Sequence, residues 1–134
     1  MLDPITYLKN GTFYIWKEDF AVVQSKHVQD AFAIIHDKNP ITLVIDQTKI
    51  HEENIIKIER EWKLITFDMV LPFELVGFFA AVSQALAEET ISIFAISAFS
   101  TDHILVKKTF VYMPCSMFNN KFSAQCLSHF LSFF

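Results

Sequence analysis

From residue 91 to 108 the chain reads ISIFAISAFSTDHILVKK, two apolar runs divided by a short polar turn. In the first run Ile91, Ile93, Ala95 and Phe99 fall on one alternating face, and Phe94, Ile96 and Ala98 on the other. Apolar residues on both faces predict a central strand covered from both sides. Ser100, Thr101 and Asp102 bring short polar side chains that satisfy nearby backbone groups in a turn, and 103–107 restores strand character. The segment predicts a β-hairpin whose turn carries a carboxylate. Just before it, Leu75, Phe78, Phe79, Val82 and Leu86 recur at helical spacing, with Ser83, Gln84 and Glu88 pointing elsewhere, so 75–89 predicts an amphipathic helix. Pro72 suits a strand exit or first helical turn, and Glu74 lies where a carboxylate interacts well with a helix N-terminus.

The same reading extends towards the N-terminus. Residues 62–71 alternate in part, with Leu64 and Val70 on one parity and Ile65, Phe67, Met69 and Leu71 on the other, which predicts a strand. Residues 46–61 are the most polar stretch and read as a connector, a loop plus a strand held to the body by Ile50, Ile55, Ile56 and Ile58. The apolar runs 31–35 and 41–45 flank HDKNP, where Pro40 steers Asn39 away from helical geometry, so they predict a hairpin. Phe20, Val23 and His27 stand at helix-like spacing and predict a short helix over 20–30, after a strand at 12–17. Both halves thus read strand, helix, strand, strand. That order predicts a duplicated structure, with units at 1–61 and 62–134, although no residue-level repeat joins them.

The last 26 residues break the pattern. All fifteen acidic residues precede Thr109, whereas 109–134 holds one charged side chain, Lys121, six of the fifteen Phe and both Cys. A helix over about 116–130 would either pack on the sheet or leave an exposed apolar patch.

Composition narrows the function classes. The formal net charge is −4 and Arg60 is the single arginine, which argues against nucleic acid and anionic membrane surfaces, since both require clustered cations. The longest apolar run near the helix, 75–82, is far below the ~20 residues that span a bilayer. The opening MLDPITYLKNG has an early acid and no charged-then-apolar signal pattern, so a cytoplasmic location is expected. Cys115 and Cys126 are too few and too far apart for a zinc site or disulfide framework. His27, His36, His51 and His129 show no ligand spacing, and no cofactor or metal is expected. Asp102 beside His103 suggests acid–base chemistry, but neighbouring strand residues face opposite ways and make no direct dyad.

The order of elements, Gly77 at a helix start and the run GFFAAVSQALAEETISIFAISAFSTDHILVKK resemble the ACT-domain superfamily. More narrowly they resemble small bacterial proteins of two ACT-like units, and the ACT modules of animal cytosolic arginine sensors. The resemblance is best over 62–108, weaker over 12–45, and ends at Thr109. It departs at Thr90, where such proteins commonly carry a helix-ending Gly. The resemblance implies an α+β, ferredoxin-like fold of tandem ACT-like units (βαββαβ), with antiparallel sheets that can join and helices packed on one face. It further implies a non-enzymatic regulatory or sensor module that binds a small ligand, an amino acid before others, at an interface between units, with a homodimer open. The competing reading is a structural or protein-interaction module that keeps the scaffold without a ligand.

Carried over by position, the resemblance places the ligand between the helix-start turn and the hairpin turn. The first supplies Phe73, Glu74, Val76, Gly77 and Phe78; the second supplies Ser97, Phe99, Ser100, Thr101, Asp102 and His103. Backbone N–H groups around Val76, Gly77 and Phe78 suit a ligand carboxylate. Asp102 suits an amino or guanidinium group, and Ser97, Ser100 and Thr101 supply neutral hydrogen bonds.

Overall fold

The computed structural model describes residues 12–38, 40–69, 72, 75, 77–88 and 90–111. Within them, seven strands form one antiparallel sheet: β1 (Thr12–Ile15), β2 (Phe20–Ser25), β3 (Ala33–His36), β4 (Ile41–Asp46), β5 (Ile55–Asp68), β6 (Phe94–Ser97) and β7 (Asp102–Lys107). The order across the sheet is β3-β4-β2-β5-β7-β6, with β1 also paired to β5. Helix α1 (Phe78–Glu88) lies between β5 and β6, and a single turn, α2 (Lys108–Val111), follows β7.

β5 organises the sheet. Its fourteen residues pair with β7 through Trp62 to Phe67, while its other edge is shared end to end by β2 and β1. The strand therefore crosses residues 61 and 62, the seam expected between two units, and joins the strands of both into one sheet. At that seam the β2 register slips by one residue between Phe20 and Val22, and Glu61 takes φ 66, as in a β-bulge. Gln47 holds the bulge, its Nε2 donating to the Glu61 carboxylate and its Oε1 accepting the Glu61 amide.

Two expectations are corrected. Residues 20–25 are a strand and not a helix: Ala21, Val23 and Ser25 are buried towards one face, while Phe20 and Val22 pack on the other. A helix would gather Phe20, Val23 and His27 on one side but leave Ala21 and Val22 unburied, and two adjacent β-branched residues suit the pleat better. Among the described residues the first half therefore holds strands and two 3-10 turns, Gln47–Lys49 and Glu52–Asn54, in an order different from that of the second. The fold is a mostly antiparallel sheet with few short helices, in place of βαββαβ units bearing a helix layer on each.

The second correction concerns 91–99. β6 is four residues long and ends the sheet, so it is not a central strand. Ile91 instead caps the helix: its N–H donates to the Leu86 carbonyl and that of Thr90 to the Ala87 carbonyl, the paired bonds of a Schellman ending. Thr90 holds the left-handed conformation there at φ 61, the position at which the resemblance expects Gly.

At its centre, along the second half of β5 and along β7, the sheet is buried on both faces. Against one face lies α1, whose Phe78, Val82 and Leu86 recur every four residues and meet Ile65, Phe67, Ile104 and Val106. Each such side chain contributes about 1.5–3 kcal/mol by leaving water. The opposite face carries Phe20, Val44, Leu64 and Leu105 beneath Trp16, Phe32 and Trp62. The expected tail helix lies outside the described residues.

Candidate functional site

The residues before α1 make its start. The Leu75 amide donates to the Pro72 carbonyl, and Gly77 adopts φ 87, a conformation that costs a residue with a Cβ about 1–2 kcal/mol. The Gly77 carbonyl then accepts the Ala81 amide, the first helical bond. The amides of the opening turn of α1 have no partner within the helix, so this end is electropositive and rich in donors.

Across from it, β6 and β7 pair Ser97 with Asp102, and the turn closes with the Ala98 amide donating to the Thr101 carbonyl. Between helix start and turn is a cavity of about 400 Å3, lined on one side by Leu75, Gly77, Phe78 and Phe79 and on the other by Ser97, Phe99 and Asp102. Phe99 is 84% exposed. The lining side chains are thus mostly apolar, with the Asp102 carboxylate on one side and the helix start on the other.

Five of the residues named from the sequence, Gly77, Phe78, Ser97, Phe99 and Asp102, meet at this cavity. Phe73, Glu74 and Val76 lie outside the described residues. Ser100 is exposed in the turn and does not line the cavity. Thr101 and His103 belong elsewhere. Alternation along β7 sends His103 to the opposite sheet face, where Trp16 Nε1–H donates to Thr66 Oγ1 at 2.7 Å and that oxygen lies 2.7 Å from His103 Nδ1. His103 Nε2 is 3.1 Å from Thr101 Oγ1, and the ring packs edge-on against Phe32. In the neutral ring the Thr66 hydroxyl donates to Nδ1, which leaves Nε2–H to donate to Thr101. Burial lowers the His103 pKa below 6.5 while Asp102 opposes, so this neutral state is favoured. The sequence motif therefore contains two sites' worth of residues, split by the pleat.

Residues 57–112 match the family pattern of the ACT domain. That stretch, just under half of the chain, is similar to an ACT domain. Its span takes in most of β5, then α1, β6, β7 and α2, and so includes every residue that lines the cavity. Strands β1 to β4 precede the matched stretch and extend the ACT sheet beyond β5. The fold is similar to that of a protein of unknown function from Vibrio cholerae, at 23% identity and TM-score 0.64, covering 78% of this chain and 85% of that one. A protein from Agrobacterium tumefaciens is similar at 18% identity and TM-score 0.65, with 82% and 87% covered. An aspartate kinase from Clostridium acetobutylicum, described as allosteric, is similar at 13% identity and TM-score 0.56, covering 72% of this chain and 31% of that enzyme. These are likenesses of fold. No curated protein matches the chain.

Two further observations bear on chemistry. Among the described residues, no three His, Cys, Asp or Glu side chains are grouped to hold a metal ion. No described helix is long and apolar enough to cross a membrane. Sequence reasoning missed Trp16, Thr66 and Phe32, which fix the His103 ring; they lie 87, 37 and 71 residues from it along the chain, and while the pairing of β5 with β7 sets Thr66 opposite it, Trp16 arrives with β1 on the other edge of β5 and Phe32 with the start of β3.

Proposed function

We propose that the chain is a regulatory module without catalytic activity, which binds a free amino acid in the ACT cavity and reports its level to a partner. The observation that carries this reading is the pairing of a helix start, rich in backbone donors and opened by Gly77, with Asp102 across an apolar cavity of about 400 Å3. A ligand carboxylate suits the helix start and an ammonium or guanidinium group suits Asp102. The volume falls within the range of small-molecule sites and exceeds what a single ion needs. Binding at an edge of the sheet changes the preferred arrangement of copies in a homodimer only if the two arrangements differ in affinity. The likeness to an allosteric aspartate kinase supports a regulatory rather than a chemical role.

Thermal-shift measurements against the free amino acids test the proposal. A one-site ligand at about 100 times its dissociation constant stabilises the chain by about 2.7 kcal/mol, and Asp102→Ala should remove the response to a cationic amino acid. No stabilisation by any amino acid would overturn the reading. It would favour an interaction module instead, for which the end strand β3 offers Ile34 and Ile35, both exposed.

A further inference from the structure

A second concavity, of about 240 Å3, opens on the sheet face opposite the ACT cavity. Its apolar wall is a set of three mutually packed rings. Trp16 and Phe32 have centroids 5.4 Å apart, and Phe20 stands 6.1 Å from the first and 6.2 Å from the second, all edge-to-face. Its polar rim carries Glu18, Asp30 and Asp46 against Lys49. Three carboxylates and one ammonium thus line the cavity, and among the described residues no ion pair engages any of the three carboxylates. Asp46 is held ionised, because the Thr48 amide and hydroxyl donate to its Oδ1 at 2.9 and 2.8 Å and lower its pKa. Both bonds land on one oxygen, so Oδ2 keeps its accepting capacity.

The lining selects the occupant. Among the described residues the carboxylates form no group of three that could hold a metal ion, whereas an aromatic wall beside carboxylates suits a cation that has an apolar body. The volume lies below that of drug-sized ligand pockets, which limits the body to a few carbons. We propose that this cavity binds a compact organic cation, an amine or guanidinium on a short aliphatic chain. The charged end faces Glu18, Asp30 and Asp46, and the body lies on Trp16, Phe20 and Phe32. The site is separate from the ACT cavity and stands whether or not that cavity binds an amino acid.

Trp16 and Trp62 are the two tryptophans of the chain, so Trp62→Phe leaves Trp16 as the only indole emitter and places it in the wall. The full chain carrying that change is titrated with agmatine and with n-butylammonium at constant ionic strength, with butyrate as the anionic control. A saturable change in Trp16 emission is expected with both cations and not with butyrate. Affinity should fall about tenfold or more in the Asp30→Asn, Asp46→Asn double variant, which loses two charge-assisted bonds, and should persist in Asp102→Ala. Calorimetric titration of the unaltered chain gives the same comparison if Trp62→Phe does not fold. No saturable response, an equal response to butyrate, or a response that survives the double variant would overturn the proposal. So would a response lost in Asp102→Ala, since that would assign the cation to the ACT cavity.

Discussion

Replacing Asp19 with Asn should destabilise the protein by about 3 kcal/mol, because it removes the counter-charge of a buried ammonium. Lys63 lies on β5 with only 4% of its side chain exposed. The loop between β1 and β2 wraps its Nζ, which donates to the carbonyls of Trp16, Lys17 and Glu18 at 3.4, 2.9 and 3.2 Å and meets Asp19 Oδ1 at 3.0 Å. Asp19 Oδ2 meets Lys108 at 2.7 Å, at the exit of β7. One carboxylate therefore ties the N-terminal strands, β5 and α2 together. Breaking a buried pair costs about 3–5 kcal/mol, and the lower end applies here because three carbonyls still solvate the ammonium and Asp19 is partly exposed. For a chain of this length that loss corresponds to roughly 10 °C in Tm. Urea unfolding should show a lower midpoint with an unchanged slope. A loss below about 1 kcal/mol would refute the argument, since it would mean that solvent screens the cluster as it screens surface pairs.

Three other outcomes follow from the same structure. Thr90→Gly should stabilise the chain by about 1 kcal/mol in urea unfolding, by relieving a β-branched residue at φ 61; a destabilisation would show that the Thr side chain contributes more than the strain costs. Leu86→Ala should cost about 2–5 kcal/mol, as its side chain is fully buried beneath α1, and a smaller loss would indicate that the helix resettles on the sheet. His103 binds its proton less readily in the folded chain than in the unfolded one, because burial penalises the charged ring and Asp102 only partly offsets this. Stability should therefore be full above pH 6.5, fall as the pH drops below it, and level off under the folded pKa. An NMR titration of the ring with a midpoint at or above 6.5 would contradict this.

Much of the second half was legible in local pattern. The stripe of Phe78, Val82 and Leu86 named a helix, and Ser100 and Thr101 named a turn, although Asp102, expected in that turn, opens β7; both lie inside one supersecondary unit whose partners are close in sequence. The first half misled where spacing was sparse: three residues at 20, 23 and 27 imitate a helical face, whereas the burial of Ala21 and Ser25 depends on β4 and β5 pairing around them. Apolar residues on both parities of 91–99 suggested a central strand, but Ile91 is consumed by the helix cap and Phe99 by the turn. The cavity inherited from the ACT resemblance gathered Gly77 and Asp102. The pleat, which alternates every residue, sent His103 to the other face, and a run of letters does not display which side of a sheet a partner 37 residues away will occupy.

The end-to-end placement of β1 and β2 along β5 has a consequence for synthesis. Thr12 finds its partner at Asp68 and Ile15 at Ile65, so β1 waits for fifty residues or more of further synthesis before β5 can pair with it. Until then Trp16 and Phe20 have only each other, the Phe32 ring and the β2–β4 pairing for shelter, which leaves them open to premature company while the rest of the sheet is made.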